Sequence, residues 1–366
     1  MKFTAEKSQI VDSLQNAAAV AERRQTIPIL ANLRLKTVSG KLEVTATDLE
    51  IQVKTYSNLL KVEEEGETTV SARKMSELCR SLPDAENVEF ILNQGKLKVI
   101  SKKFNGDFAT ISASDFPELE VNEDQKTATI QSGALKRILT KTSFSMASQD
   151  VRYYLNGLLL ELGKGGLKGV ATDGHRLALA SYEEEGLNIE TRNILPRKAV
   201  LELSKLLASD ETPIELLVGP TYMGIIGENL RFSSKLIDGK YPDYEKVFPS
   251  GDSRPLLVGK ETLQSALSRA SVLSNEKYRG VRFELSKGVL KLTANNPEQE
   301  SAEEVLEVDY KGEDLEVGFN INYLIDVLNS LEEEVVKFEF YGEDSSCVVK
   351  EPNSESEVYV IMPMRL

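Results

Sequence analysis

The chain has 366 residues, of which 41% are hydrophobic, so it is long enough for two or three packed domains and too apolar to be disordered. Its net charge of −14 argues against nucleic acid as a partner unless that charge is unevenly distributed. No apolar run approaches the roughly 18 residues that a membrane helix needs, and two cysteines without an N-glycosylation sequon favour a cytoplasmic protein.

The predicted elements recur in one order along the chain. A helical pattern with one apolar stripe, at i, i+3 and i+4 spacing, opens each third. The stripe residues are Ile10, Leu14, Ala17 and Ala21, then Leu135, Ile138 and Leu139, then Leu263, Ala266, Leu267 and Ala270. Alternating strand patterns follow, such as KLEVTA at 41–46 and EIQVKTY at 50–56. A second short helix and further strands complete each third; its apolar residues are Leu78 and Leu82, then Val200, Leu203, Leu206 and Leu207, then Leu324, Val327, Leu328 and Leu331.

Short matches show that this order is a true internal repeat. One set is TATD at 45–48, VATD at 170–173 and TANN at 293–296. A second set is ARKMSELCRSL at 72–82, PRKAVLELSKLL at 196–207 and FNINYLIDVLNSL at 319–331. The sequence therefore predicts an α+β fold of three repeated domains, each with two helices packed on antiparallel sheets. We place these domains at 1–122, 128–249 and 254–366.

Charge differs between the helices and the rest of the chain. The helical windows 7–24, 73–82, 132–146, 197–207, 260–270 and 322–331 carry a combined net charge of +8, which leaves −22 for the other residues. The acidic runs EEEGE at 63–67, EEEG at 183–186 and EEE at 332–334 lie outside those windows. If the helices of all copies face one way, the protein has a basic face that attracts a phosphate backbone and an acidic back that repels it.

The only histidine, His175, lies in the stretch ATDGHRLALA at 171–180. Asp173 and His175 alternate along a predicted strand, which would place both on one face, and a hydrolase that uses this pair is one hypothesis. No nucleophile or second base stands out near them, no nucleotide-binding glycine motif occurs, and one histidine with two distant cysteines is unlike a zinc site. We therefore expect no catalytic residue, no metal and no cofactor. A generic multidomain scaffold that binds partner proteins is the other alternative.

Eight stretches spread over all three copies carry a resemblance to a known family. They are MKFT at 1–4, TIPIL at 26–30, ATDLE at 46–50, QDVRYYLNG at 149–157, ATDGHRLA at 171–178, SNEKYRGVR at 274–282, TANNPEQE at 293–300 and MPMRL at 362–366. Over its whole length the chain resembles the bacterial DNA sliding clamp, the β subunit of DNA polymerase III. The resemblance implies the DNA clamp fold and a head-to-tail homodimer that closes a six-domain ring around double-stranded DNA.

The resemblance also implies partners and a location. The ring would hold DNA without sequence preference, with helices lining the hole and sheets forming the rim. It would tether the replicative polymerase, the clamp loader, repair polymerases and mismatch-repair proteins through short linear motifs. An accessory subunit with no catalysis of its own and no membrane partner is expected, in the bacterial cytoplasm with the nucleoid. Val272 and Leu273 would lie at the dimer interface.

Individual residues are assigned by position from the same resemblance. Those expected to face DNA are Arg24, Arg73, Gln149, Arg152, Tyr153, Tyr154, Arg197 and Lys198. Those expected to form a partner-peptide pocket between the second and third domains are Leu155, Thr172, Gly174, His175, Arg176, Leu177, Pro242, Val247, Asn320, Tyr323, Val360, Met362, Pro363, Met364, Arg365 and Leu366. Strand alternation leaves at least one of Tyr153 and Tyr154 exposed. Because Pro363 cannot donate to a sheet, the last strand should end near Ile361 and release the tail across the surface.

Overall fold

The computed structural model describes residues 1–21, 27–83, 86–119, 125–184 and 187–365. Within these ranges the chain forms six α-helices and 26 β-strands, and every pairing between the strands is antiparallel. The predicted α+β class is confirmed. None of the described helices is long and apolar enough to cross a membrane.

The order of elements repeats three times, as predicted. The first repeat contains β1 (Lys2–Glu6), α1 (Lys7–Ala18), β2 (Asn32–Val38), β3 (Lys41–Thr47), β4 (Ile51–Asn58), β5 (Lys61–Glu64), β6 (Gly66–Ser71), α2 (Ala72–Ser81), β7 (Asn87–Asn93), β8 (Lys96–Ser101) and β9 (Phe104–Ile111). The second contains β10 (Lys126–Gln131), α3 (Ser132–Thr142), β11 (Gly157–Gly163), β12 (Gly166–Thr172), β13 (Arg176–Tyr182), β14 (Thr191–Pro196), α4 (Arg197–Leu206), β15 (Pro213–Val218), β16 (Tyr222–Ile226) and β17 (Leu230–Lys235). The third contains β18 (Arg254–Gly259), α5 (Lys260–Val272), β19 (Gly280–Ser286), β20 (Val289–Asn295), β21 (Ser301–Glu307), β22 (Asp309–Tyr310), β23 (Leu315–Asn320), α6 (Ile321–Ser330), β24 (Val335–Phe340), β25 (Cys347–Lys350) and β26 (Glu357–Ile361). Short 3₁₀ helices lie at Pro28–Ala31, Ala113–Asp115, Ser143–Ser145, Tyr153–Leu155 and Tyr244–Val247.

Two compact units make up the chain. The first consists of Met1–Gly133 and Leu201–Leu236, and the second consists of Ala134–Val200 and Ile237–Leu366. The second repeat contributes strands to both units, because β17 pairs with a strand of the first repeat and β13 pairs with a strand of the third.

The first unit is built on one sheet of thirteen strands, in the order β10-β15-β16-β17-β4-β3-β2-β6-β9-β8-β7-β1-β5. The pairing of β17 with β4 sets Phe232 opposite Val53, and both side chains are fully buried. Helix α1 packs its predicted stripe inward, with Ile10, Leu14 and Ala17 buried. Hydrogen bonds and apolar packing therefore continue from the first repeat into the second.

The second unit contains two sheets, in the orders β14-β11-β12-β13-β26-β25-β24-β18-β22 and β21-β20-β19-β23. The pairing of β13 with β26 runs from Arg176 opposite Ile361 to Ala180 opposite Glu357. Helices α5 and α6 cover an aromatic core in which the rings of Phe283 and Phe319 lie 5.4 Å apart. The predicted apolar stripes of both helices are buried in this core.

An ion cluster ties α3 to the end of the third repeat. Arg137 Nη2 lies 2.7 Å from Oε1 of Glu357, which is 2% exposed. Lys141 Nζ lies 2.8 Å from Glu332 Oε1 and at an ion-pair distance of 3.3 Å, without hydrogen-bond geometry, from Glu357 Oε2. The hydrogen bond from Lys141 lowers the pKa of Glu332, so this stabilisation is present above the ordinary carboxyl pKa and is lost as the pH falls. Two of the cations counted on the basic helices are thus already paired with carboxylates.

We expect Glu357→Gln to lower the free energy of unfolding by about 1–3 kcal/mol, because it removes the buried counter-charge of Arg137. Urea unfolding followed by circular dichroism measures the change. Glu343→Gln, at an exposed turn, is the matched control and should leave the urea midpoint unchanged. Equal midpoints for Glu357→Gln and the unsubstituted protein would contradict the role given to the cluster.

Candidate functional site

The stretch around His175 is a turn between two strands. Strand β12 ends at Thr172, and β13 begins at Arg176. The Asp173 carboxylate shapes the turn, because its Oδ1 accepts hydrogen bonds from the backbone N–H groups of His175 (2.9 Å) and Arg176 (3.0 Å). Gly174 has φ +89°, a conformation that glycine adopts without strain. The predicted strand alternation of Asp173 and His175 is therefore wrong, since local carboxylate–backbone bonds favour a turn here.

Asp173 and His175 do not form a catalytic pair in the described part of the chain. The other oxygen of Asp173, Oδ2, accepts a hydrogen bond from Arg176 Nε at 3.1 Å, and no hydrogen bond joins the carboxylate to the exposed His175 ring. The residues that the structure describes contain no group of three or more His, Cys, Asp and Glu side chains able to hold a metal ion. The carboxylate holds the turn in shape, and the imidazole faces solvent.

Four residues predicted for the partner-peptide pocket meet in one apolar cluster. Leu155, Leu177 and Val360 are buried, and Val247 is half-buried against them. They come from two 3₁₀ helices and from the paired strands β13 and β26. Pairing of those two strands brings the second and third repeats together, which explains why residues far apart in sequence share one cluster.

Tyr241 is one of several cluster residues that the sequence analysis did not assign to the pocket. Its side chain is 3% exposed, and its hydroxyl accepts a hydrogen bond from the Thr172 backbone N–H at 3.1 Å. Burial raises the pKa of Tyr241 above its ordinary value, so the hydroxyl stays protonated. One sequence feature could have pointed to Tyr241, since an aromatic residue precedes a proline at equivalent places in two repeats. These pairs are Phe116-Pro117 and Tyr241-Pro242.

The C-terminal tail is tied across this cluster. Strand β26 ends at Ile361, which confirms the predicted end of the last strand. The Met362 backbone N–H then donates to His175 O at 2.9 Å, and the Met364 N–H donates to Gly318 O in β23, also at 2.9 Å. The proline between them has no N–H to offer, so the tail is held by alternate residues.

The side chains around the buried cluster form a surface patch. We call it the tail surface and define it by the exposed and half-buried residues His175, Pro242, Val247, Asn320, Tyr323, Met362, Pro363, Met364 and Arg365. Leu366, also predicted for the pocket, lies outside the described residues. The patch contains two methionines, two prolines and one valine, and the flexible methionine side chains can adapt to different peptides.

Arg176, predicted for the partner-peptide pocket, is mostly buried. Its Nη1 donates to Asp326 Oδ2 at 2.6 Å, and its Nη2 donates to the Phe144 carbonyl at 2.7 Å. Its guanidinium lies over the Tyr323 ring, 4.4 Å from the ring centre. Asp326 and Phe144 were not predicted, because nothing local in the sequence relates them to residue 176.

The residues predicted to face DNA are mostly exposed. Arg73, Gln149, Arg152, Tyr153 and Lys198 are exposed, Tyr154 and Arg197 are half-buried, and Arg24 lies outside the described residues. Tyr153 is 58% exposed and contacts the Tyr154 ring edge-on, so at least one of the two tyrosines is exposed, as predicted. Both belong to a 3₁₀ helix instead of a strand.

Arg152 adjoins the turn of His175. Its Nε and Nη2 donate to the two oxygens of Asp150 at 3.0 and 2.9 Å, and this lowers the pKa of Asp150 to about 2. Its Nη2 also donates to the carbonyl of Asp173 at 3.4 Å. A residue predicted to contact DNA therefore touches the turn predicted to contact partner peptides.

Family comparisons cover nearly the whole chain. Residues 1–120 match the DNA polymerase III beta subunit, N-terminal domain; residues 129–243 match its central domain; and residues 245–365 match its C-terminal domain. The three matches follow one another in the order of the three repeats.

Full-length relatives and solved structures agree with this match. The chain is 42% identical to the Beta sliding clamp of Pseudomonas putida and 41% identical to that of Escherichia coli K12, with all of each chain covered. Among solved structures it resembles the sliding clamp (DNA polymerase III subunit beta) of Pseudomonas aeruginosa bound to griselimycin, with a TM-score of 0.96 and 42% identity over all of both chains. The DNA polymerase sliding clamp of Caulobacter crescentus also matches over all of both chains, with a TM-score of 0.91 and 32% identity.

Proposed function

Because the chain belongs to the DNA polymerase III beta subunit family of sliding clamps, we propose that it closes a homodimeric ring around double-stranded DNA and tethers replication and repair proteins there. Family membership establishes the coarse function. The protein has the three-domain clamp fold and is a DNA sliding clamp, a processivity factor and accessory subunit of the polymerase without catalysis of its own. We assign its domains to 1–122, 128–249 and 254–366, and its place of action to the bacterial cytoplasm with the nucleoid.

The ring proposal rests on one strand junction that occurs twice in the chain. Strands β4, β13 and β21 occupy equivalent places in the three repeats, and so do β9, β17 and β26. The chain pairs β17 with β4 and β26 with β13. The third junction of this type requires β21 and β9, and these two strands are not paired with each other in the described chain.

Both strands have an edge available for that third junction. Strand β21 pairs only with β20, and Phe104–Ala109 of β9 pairs only with β8 among the described residues. A long unpaired edge is a template for pairing with another chain, because its N–H and C=O groups have no partner within the sheet. Pairing β21 of one copy with β9 of a second copy, head to tail and by twofold symmetry, closes six domains into a ring.

Exposed apolar side chains support the same interface. Val272, the last residue of α5, is 78% exposed, and Val305 of β21 is 61% exposed. Leu273, the residue after Val272, is half-buried. Soluble proteins seldom expose several apolar side chains to water in one patch. We therefore propose that a second copy of the chain buries these side chains.

For DNA we propose sequence-independent phosphate contacts on the exposed helix faces and adjoining loops. Helix α2 carries three exposed cations, Arg73, Lys74 and Arg80, against one exposed carboxylate, Glu77. The full set that we assign to DNA is Arg24, Arg73, Gln149, Arg152, Tyr153, Tyr154, Arg197 and Lys198. Charge–phosphate contacts position a duplex without reading its bases, which suits a ring that slides.

For partner proteins we propose the tail surface and the buried cluster beneath it. The replicative polymerase, the clamp loader, repair polymerases and mismatch-repair proteins would each insert a short linear motif there. We further propose that griselimycin, present in the solved Pseudomonas aeruginosa structure, binds this chain at the same surface. The residues that carry this role are the sixteen that the sequence analysis assigned to the partner-peptide pocket, of which Leu155 is the first and Leu366 the last.

One experiment separates a ring from a scaffold that merely binds proteins. The protein is loaded onto nicked circular DNA, and the DNA is then cut once. A ring stays on the circle and leaves the linear product by sliding off its ends. Equal retention on both forms would show that the protein does not encircle DNA.

Val272→Ala combined with Leu273→Ala should convert the dimer to monomers. Truncation removes roughly 2–4 kcal/mol of apolar contact at each of two interfaces. Sedimentation velocity measures the oligomeric state. Val335→Ala, which shortens a valine that is 41% exposed on β24, is the matched control and should remain dimeric. A double variant that still sediments as a dimer refutes the assigned interface.

Arg24→Ala combined with Gln149→Ala should weaken DNA association while the dimer stays intact. The loss should be modest and should shrink as salt rises, because removing one phosphate contact reduces the salt dependence by about one unit of slope. Binding titrations at several salt concentrations measure it. Lys164→Ala, at an exposed hairpin turn, is the charge-matched control. A loss confined to particular DNA sequences would contradict a positioning role.

Deleting residues 362–366 should reduce the affinity for a polymerase or clamp-loader peptide tenfold or more, about 1.4 kcal/mol. The deletion removes the apolar tail side chains and the backbone hydrogen bonds to His175 and Gly318. Fluorescence anisotropy with a labelled peptide measures the affinity. The dimer and its retention on circular DNA should persist, which serves as the internal control. Unchanged peptide affinity would remove the tail from the binding site.

A further inference from the structure

Arg176 stands apart from the other residues assigned to the partner-peptide pocket, because its guanidinium is already engaged. The side chain is only 11% exposed. Each of its three nitrogens donates a hydrogen bond to a residue of the same chain. Little of it is left for a bound peptide to contact, so its effect on the tail surface must pass through its neighbours.

Three of those neighbours belong to helices of the second unit. Asp326 lies on α6 and accepts from Arg176 Nη1 at 2.6 Å, and this is the one hydrogen bond described for its carboxylate. Phe144, in the 3₁₀ helix that follows α3, accepts from Nη2 at 2.7 Å. The Tyr323 ring of α6 lies 4.4 Å from the guanidinium and fixes its plane.

The remaining contacts involve the turn of His175 and the last strand, which adjoin the tail surface. Arg176 Nε donates to Asp173 Oδ2, the carboxylate that shapes the turn of His175. The Arg176 carbonyl accepts a hydrogen bond from the Thr172 hydroxyl at 2.6 Å. Its backbone pairs with Ile361, the residue from which the tail departs. The Arg176 side chain therefore joins α6 and the end of α3 to the turn, and the Arg176 backbone joins them to the base of the tail.

We propose that Arg176 is a positioning residue that couples the helices to the tail surface, so that Asp326 controls peptide affinity without belonging to the peptide site. This inference rests on the proposed function, since it takes the tail surface to be where peptides bind. Asp326 orients the guanidinium, and the guanidinium orients Asp173. Asp173 in turn holds the His175 turn, whose His175 carbonyl accepts the hydrogen bond from the Met362 N–H. A preformed turn lowers the ordering cost that a bound peptide must overcome.

Asp326→Asn should weaken peptide binding about five- to twentyfold, because it leaves a mostly buried guanidinium without one counter-charge and frees the turn to move. The probe is griselimycin, and isothermal titration calorimetry with the full-length dimer measures its affinity. Asp314→Asn removes the same charge from an exposed loop and should bind griselimycin as the unsubstituted protein does. Arg176→Lys should also bind griselimycin more weakly than the unsubstituted protein does, since a single ammonium cannot reach three separate acceptors.

A double-variant cycle distinguishes coupling from general destabilisation. If Asp326 acts through Arg176, then Arg176→Met combined with Asp326→Asn should bind no more weakly than Arg176→Met alone. Additive losses would overturn the proposal. So would an Asp326→Asn variant with unchanged affinity.

A measurement without ligand keeps the inference independent of the assigned peptide site. Amide hydrogen exchange in segments 171–180 and 357–365 should accelerate in Asp326→Asn and stay unchanged in Asp314→Asn. If the unsubstituted protein fails to bind griselimycin but exchange accelerates as expected, the peptide site is wrong and the coupling stands. If exchange in both segments is unchanged, the coupling itself is wrong.

Discussion

Unpaired backbone groups at the edges of antiparallel sheets are the constraint on which the rest of this structure depends. Three similar domains in one chain would each present such edges to solvent. The chain removes two of them internally, by pairing β17 with β4 and β26 with β13. It covers part of the β23 edge with its own tail, through the Met364 N–H and the Gly318 carbonyl. Strands β9 and β21 are left without this type of junction in the described chain, and the proposed ring follows from pairing them between two copies.

The electrostatic arrangement is less simple than the sum of charges on the helices. Arg137 and Lys141 of α3 pair with Glu332 and Glu357, and Arg269 of α5 pairs with Glu304 at 2.6 Å. These cations stabilise the fold locally, so they add little to the field that a duplex experiences. Helix α2 is different, because it has three exposed cations and one exposed carboxylate, Glu77, whose Oε1 lies 3.9 Å from Arg73 Nε. Weak attraction from a few such groups is compatible with sliding, whereas a continuous basic lining would hold DNA in place.

The tail surface, where we propose that peptides bind, is built on a strand junction. Pairing of β13 with β26 buries Leu177 and Val360 together and leaves a turn on one side and the tail on the other. The turn keeps its shape through the Asp173 carboxylate, and the tail keeps its place through two backbone hydrogen bonds. Recognition of a short linear motif requires an apolar surface with polar groups around it. The buried cluster supplies the first, and flexible methionine side chains allow different motifs to fit.

The sequence by itself determined the threefold repeat, the class of fold, the apolar stripes of the helices and the end of the last strand near Ile361. Each of these depends on periodicity or on the chemistry of one residue, as with the missing N–H of Pro363, and such signals are local. It also supplied the family stretches and excluded His175 as part of an obvious catalytic motif. Four pocket residues, Leu155, Leu177, Val247 and Val360, were named from the family resemblance, and the structure brings them into one cluster.

Only the tertiary structure decided which charged groups are available and which are already engaged. Arg176 meets Asp326 across 150 residues, and Arg137 meets Glu357 across 220, distances over which no sequence pattern extends. The sequence analysis placed Asp173 in a strand, because the alternation of polar and apolar residues says nothing about hydrogen bonds from backbone to side chain. In the structure the Asp173 carboxylate accepts hydrogen bonds from the N–H groups of His175 and Arg176, and these bonds form a turn. The free energy of a charged side chain depends on the partners that folding brings to it, and those partners exist only in three dimensions.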